Sequence, residues 1–231
     1  MLLLIMVMNF SDKAIFFFRH LTLTLPQSLQ TEVLNPYKNP EVQKCVSAFY
    51  TKYFSDQKER VFIMGINPGR FGSGLTGISF TDPVALREFC GIPNNFGEKR
   101  ELSSEFIYMM IEKYGGVKKF YCNFFISAVC PLGFMKGSRN YNYYDDKKLQ
   151  EAVTPFIKKT FSQQIQIGAR NDSLIVIGAN KNRKFIESLN HEFHYFKKII
   201  PLEHPRFIMQ YRRKRLDQYL KQYVAVLEEF H

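Results

Sequence analysis

Val61-Phe-Ile-Met-Gly-Ile-Asn-Pro-Gly-Arg-Phe-Gly-Ser-Gly-Leu-Thr-Gly-Ile-Ser-Phe80 runs an apolar strand into a turn with an amide at its tip. Residues 61–66 are apolar apart from Gly65, the pattern of a strand buried on both faces. Asn67-Pro68-Gly69 then stops the strand, since proline cannot donate to a ladder and Pro-Gly punctuates a turn. Asn67 is therefore presented at the carboxyl end of a sheet, where open α/β folds bind ligands.

Outward from that strand, helix-like and strand-like segments alternate. Pro40 to Phe54 is amphipathic and leads into it. Asp82-Pro83 supplies a helix cap and first-turn proline for a short helix ending near Gly91, and Ser103 or Ser104 opens a helix through Tyr114. Lys119 to Val129 reads as a second strand, Ser173 to Ala179 as a third and Phe196 to Ile200 as a fourth. Helices are expected over Lys147 to about Ile167, Lys181 to Leu189 and Tyr211 to Phe230, with a polar, aromatic loop over Gly133 to Tyr144. This order predicts an α/β fold, a three-layer α/β/α sandwich around a four-stranded, mostly parallel sheet. At 231 residues the chain suits one domain, with a helical N-terminal elaboration over about residues 1–58. Loops 67–81, 129–145 and 201–210 should converge on one sheet edge.

Lys and Arg outnumber Asp and Glu by 32 to 21, a formal net charge of +11, which favours a polyanionic partner. The competing reading is a solvated basic surface. Cys45, Cys90, Cys122 and Cys130 lack metal-ligand spacing and sit in apolar contexts, as small core hydrophobes in a reducing compartment do. Met1 to Met8 is apolar but has neither a basic n-region nor a cleavage site and is far too short to span a membrane, so a cytoplasmic protein is expected. The His191/His194 pair has no third ligand to make a metal site.

Gly72-Ser-Gly-Leu-Thr-Gly77 formally matches a dinucleotide fingerprint, so a nucleotide-binding enzyme is an alternative. The context opposes it, because the match begins six residues beyond the strand and leads to Ile-Ser-Phe-Thr-Asp-Pro instead of into a helix.

Gly65-Ile66-Asn67-Pro68-Gly69, followed by Phe80, resembles the first motif of the uracil-DNA glycosylase superfamily, specifically its single-strand-selective monofunctional type. Cys130-Pro131-Leu132 resembles that family's central strand end, and His204-Pro205 its second catalytic motif. The resemblance implies a glycosylase of that fold, acting on DNA with a damaged or deaminated base and using no metal or organic cofactor. It implies that Asn67 orients the attacking water without taking its proton and that His204 donates to the base oxygen where charge develops. Phe80 would stack on the flipped ring, and Gly69 would leave room beside the pyrimidine 5-position, where other members place a tyrosine. One position departs from the family. The asparagine that reads the uracil edge there aligns with Ala128 here, and Asn123 and Ser127, at odd offsets, face away.

Pro205-Arg-Phe-Ile-Met-Gln-Tyr-Arg-Arg-Lys-Arg215 places apolar residues before a basic cluster. Phe207 or Ile208 would fill the gap left by the flipped base, while Arg206, Arg212 and Arg213 hold phosphates. Lys136 and Arg139 are further phosphate candidates. We expect a monomer. A damage-binding protein of the same fold without efficient chemistry is the other alternative.

Overall fold

A computed structural model describes residues 8–230, so the reading of the extreme N-terminus lies outside the described residues, Met8 excepted. The central sheet has order β3-β2-β6-β7, with β2 Arg60–Gly65, β3 Phe124–Ala128, β6 Ala169–Ile177 and β7 Lys198–Leu202. All three pairings are parallel. Helices cover it, making three layers. β2 is buried at every position, as a central strand covered on both faces must be.

α1 (Phe10–Arg19) packs on α2 (Pro40–Phe54), and on α7 (Lys147–Gly168). Short helices α3 (Ser73–Thr76) and α4 (Pro83–Glu88) follow β2. α5 (Leu102–Tyr114) packs against α9 (Pro205–Tyr211) and α10 (Leu216–Glu228), and α8 (Lys181–Phe193) packs on β6. Much of the phenylalanine content forms one aromatic cluster: the Phe10 ring stacks 5.3 Å from Phe54 and meets Phe125 edge-on at 5.1 Å. Arg60 is wholly buried there. Its guanidinium lies 4.8 Å from both the Phe10 and Phe54 rings and pairs with Asp56 at 2.8 Å, while its Nε donates to the Tyr121 carbonyl. That combination satisfies a charge an apolar core would otherwise reject.

Several elements differ from expectation. Lys119 to Val129 is not one strand: α6 (Val117–Asn123) comes first and β3 starts only at Phe124. The apolar run Phe120 to Phe125 suits either state, and packing against Tyr114 and Phe49 selects the helix. β6 begins four residues before the expected strand, and β7 is displaced two residues toward the C-terminus. The last helix begins at Leu216, after α9 and a 3-10 turn over Arg213–Arg215. Gly133 to Tyr144 is a hairpin of β4 (Gly133–Lys136) and β5 (Arg139–Tyr141), and β4 pairs with β1 (Glu32–Leu34) in a second, antiparallel sheet of order β1-β4-β5. The N-terminal region is thus helical with one strand. Of the cysteines, Cys122 is exposed while the other three are buried. No helix among the described residues is long and apolar enough to cross a membrane.

Candidate active site

The loops after β2, β3 and β7 meet at the carboxyl edge of the main sheet around a cleft of about 420 Å³. Gly65 and Ala128 are register partners on adjacent strands, and the ladder continues through the Val129 N–H to the Gly65 carbonyl at 3.0 Å and the Cys130 N–H to the Ile66 carbonyl at 3.1 Å. Gly65, Ile66, Asn67, Pro68, Gly69, Phe80, Ala128, His204, Arg206 and Phe207 all line the cleft.

The Asn67 amide is held from the hairpin side. Its Nδ2 donates to the Tyr141 carbonyl at 3.2 Å, and its Oδ1 accepts the Tyr143 N–H at 3.1 Å. These partners fix which end is oxygen, and the second lone pair of Oδ1 remains for a water proton. The Tyr143 hydroxyl donates to Asn182 Oδ1 at 2.8 Å, and Asn182 Nδ2 donates to the Ile177 and Gly65 carbonyls at 2.9 and 3.3 Å. A buried amide on α8 therefore ties the ends of β2 and β6 to the loop that orients Asn67.

Phe80 has φ of +54°, a left-handed conformation uncommon for a bulky residue. Its surroundings impose it. Thr76 Oγ1 donates to the Thr81 carbonyl at 2.6 Å, the Thr81 N–H donates to the Ile78 carbonyl at 3.2 Å, and the Thr81 hydroxyl meets the Tyr108 hydroxyl at 3.0 Å. The turn sets the ring over Gly65, where a Cβ would stand only 2.6 Å from ring atom Cε2, and 5.9 Å from the His204 ring. Gly65 is the residue that lets an aromatic face lie against the strand end. Strain maintained this way clusters at ligand sites.

His204 caps α9. Its Nδ1 accepts the Arg206 N–H at 3.1 Å, which places the ring proton of the neutral imidazole on Nε2. Burial, reinforced by the Arg206 charge, pushes its pKa down to about 4. A neutral donor is thus available near pH 7.

Ala128 lies at the cleft floor with no side-chain hydrogen-bonding group. Ser127 is turned away: its hydroxyl donates to Gln164 of α7, whose Nε2 donates to the Ala128 carbonyl at 3.1 Å. Asn123 is in a helix and accepts from Lys58 at 3.0 Å. Neither residue reaches the cleft.

Sequence reading missed Glu101, which lines the cleft immediately before α5. A Cβ on Gly69 would stand 3.1 Å from Glu101 Oε1, and one on Gly72 would collide with Oε2. Burial pushes this carboxyl above its usual range; the Arg206 charge opposes the rise and Asp82 adds to it. Nothing in the charged run 98–101 distinguishes Glu101 from its neighbours. Tyr211, 65% exposed at the rim, was also missed because it read as the start of a helix.

Ile208 needs correction as a candidate for the base gap. It is fully buried on the inner face of α9, because the segment is helical and Ile208 and Met209 face α5. Phe207 and Tyr211, one turn apart with rings 5.7 Å from each other, are the aromatics on the cleft side. Arg212 lies 5.0 Å from the Phe207 ring, and Arg213 faces Glu105 at 3.7 Å. Lys136 and Arg139 are exposed and cross-strand neighbours in the hairpin. The Gly72–Gly77 run forms α3 and a left-handed cap at Gly77, packed on Val42 and Tyr37. Among the described residues no group of His, Cys, Asp and Glu could hold a metal, and His191 and His194 have ring centroids 6.3 Å apart.

A parallel α/β sheet with an amide and a neutral histidine facing one cleft at its carboxyl edge defines a class of protein, and the sequence model of the uracil DNA glycosylase superfamily matches residues 51–228. The chain belongs to that superfamily. Among solved structures it is similar to wild-type SMUG2 of Pedobacter heparinus, with 43% identity over 96% of this chain and 98% of that one, and a TM-score of 0.92. No curated protein sequence matches it.

Proposed function

We propose that the protein is a monofunctional DNA glycosylase that flips uracil or a related deaminated base out of DNA and hydrolyses its N-glycosidic bond. The observation that carries this is the neutral His204, with Nδ1 occupied and Nε2–H free to donate, beside the Phe80 ring across the cleft from the clamped Asn67 amide. The flipped base stacks on Phe80. As the bond to C1′ lengthens, the pair of electrons moves onto the base and His204 donates to the carbonyl oxygen that gains charge. One such donor is typically worth about 2.7 to 4 kcal/mol in the transition state. Asn67 holds water through Oδ1 toward C1′; the hydroxyl adds to the sugar and the proton leaves through solvent or the departing base. Because an amide cannot take that proton, turnover should be modest. Phe207 and Tyr211 fill the vacated stack, with Arg206, Arg212, Arg213, Lys136 and Arg139 near the phosphates.

The test is single-turnover release of uracil from an oligonucleotide by the wild type and by Asn67→Ala. The expected result is abasic product from the wild type and a rate about 10² or more lower in the variant, with product-DNA affinity within a few-fold. Binding of uracil DNA without abasic product would instead identify a damage-binding protein.

A further inference from the structure

We infer that Tyr143 and Asn182 are positioning residues for the hydrolytic water, holding Asn67 Oδ1 turned toward it through a closed ring of hydrogen bonds. The inference rests on the proposed glycosylase reading and deepens it: part of the rate comes from two side chains that do not line the cleft.

An amide needs such support. The terminal torsion of an asparagine is broad and roughly two-fold, so a half-turn that exchanges the acceptor Oδ1 for the donor Nδ2 costs little by itself. In the turned state the water would meet N–H groups and lose its orientation. The Tyr143 N–H on Oδ1 at 3.1 Å and the Tyr141 carbonyl on Nδ2 at 3.2 Å oppose the turn. Both are main-chain groups at or just past the end of β5, so they orient the amide only as well as residues 141–143 are themselves held.

The chain leaves the ladder after Tyr141, and its local restraint is a turn in which the Asn142 N–H donates to Asp145 Oδ2 at 2.8 Å. Its long-range anchor is the Tyr143 side chain, fully buried, with its ring edge-on to Phe185 of α8 at 5.0 Å and its hydroxyl donating to Asn182 Oδ1 at 2.8 Å. Burial pushes that hydroxyl well above its ordinary pKa, so it stays a donor. Asn182 in turn has one orientation open to it. Its Nδ2 donates to the Ile177 and Gly65 carbonyls at 2.9 and 3.3 Å, and reversing the amide would set oxygen against oxygen at both. Gly178, with φ of +107°, brings the end of β6 against it; a Cβ there would stand 3.2 Å from Asn182 Cβ. Gly65 lies two residues before Asn67. The path from Asn67 through Tyr143 and Asn182 therefore returns to the strand from which Asn67 projects, and a closed ring fixes Oδ1 relative to β2 where an open chain would let it pivot.

The experiment measures single-turnover uracil release, affinity for product DNA and Tm for Tyr143→Phe and Asn182→Leu, each alone and combined with Asn67→Ala or His204→Ala. Tyr143→Phe keeps the ring on Phe185 and removes only the hydrogen bond. It should slow release about five- to twentyfold with product affinity within about threefold. Asn182→Leu opens the ring at both of its contacts and should slow release by about 10²; if that variant does not fold, Tyr143→Phe decides. A residue that acts through Asn67 loses its effect when that amide is gone. In the Asn67→Ala background either substitution should therefore change the rate less than about twofold while its cost in Tm remains, a split that a purely structural role does not produce. In the His204→Ala background the full slowing should persist. A folded Tyr143→Phe with the wild-type rate, a slowing of equal size with and without Asn67, one that disappears without His204, or one matched by an equal loss of DNA affinity would each overturn the inference. A wild type that releases no uracil refutes the glycosylase reading itself, and Asn67→Ala at the wild-type rate refutes the water-holding role on which the ring depends.

Discussion

Gly65→Ala adds one methyl group between the end of β2 and the Phe80 ring. Gly65 is not among the residues with positive φ, so alanine fits its backbone and the effect is steric alone. The new Cβ would lie 2.6 and 2.7 Å from ring atoms Cε2 and Cζ, and 3.5 Å from the Ser127 carbonyl. Carbon atoms pack at about 3.5 to 4.0 Å, so the ring has to retreat by about 1 Å. The retreat is resisted because the Phe80 backbone is pinned by the Thr76 and Thr81 hydrogen bonds at either side. Overpacking of this kind costs about 1 to 3 kcal/mol. In a chain of this size that is a fall in Tm of about 2 to 12 °C. A 1 Å displacement of a positioning surface costs about 10² in rate, so single-turnover uracil excision should drop between about ten- and a hundredfold. Differential scanning calorimetry and rapid-quench excision on one oligonucleotide read both effects. Gly65→Ala/Phe80→Ala removes the clash together with the stacking ring. It should recover the stability lost to overpacking relative to Phe80→Ala alone, and recover no activity. A Gly65→Ala protein with wild-type rate and stability, or a penalty that persists when Phe80 is alanine, would refute the proposed packing of Phe80 on Gly65.

His204 has a folded pKa near 4 against about 6.5 when unfolded, so the unfolded chain binds more protons between those values. Its contribution to stability is complete above about pH 6.5 and is lost as pH falls toward 4; the Tm of His204→Ala should decline less over that window than the wild type's. The same variant should excise uracil about 10² to 10³ more slowly at pH 7, measured by single turnover. Replacing Arg212 and Arg213 by glutamine should reduce the slope of log K against log salt by up to about one unit per lost phosphate contact, with the order of base preference kept. Ala128→Asn puts an amide on the cleft floor at the register partner of Gly65 and should favour uracil over hypoxanthine by about 1 to 3 kcal/mol, read from the ratio of excision rates.

The amino-acid order by itself determined the layered α/β architecture, because an apolar run with no polar interruption, such as Val61 to Met64, is stable only as a strand covered on both sides. It also placed Asn67 just past the end of β2 and His204 in the loop after β7, since Pro-Gly and His-Pro punctuation is local chemistry, whereas Phe80 stood out only through the family resemblance. Ala128 was legible through the family resemblance, and strand alternation applied to its neighbour Ser127 but not to Asn123, which is helical. Tertiary structure decided what depends on contacts distant in sequence. Whether Val117–Asn123 coils or extends is set by aromatic partners elsewhere in the chain, and the hairpin Gly133–Tyr141 needed β1, about a hundred residues earlier, as its sheet partner. Ile208 and Tyr211 are both apolar-bodied residues of one short segment, and only the docking of α9 on α5 buries the first and leaves the second at the rim. Glu101 is one charge in a charged loop until folding brings it against Gly69 and Gly72, some thirty residues away, because burial and the field of Arg206 exist only once the loops have met.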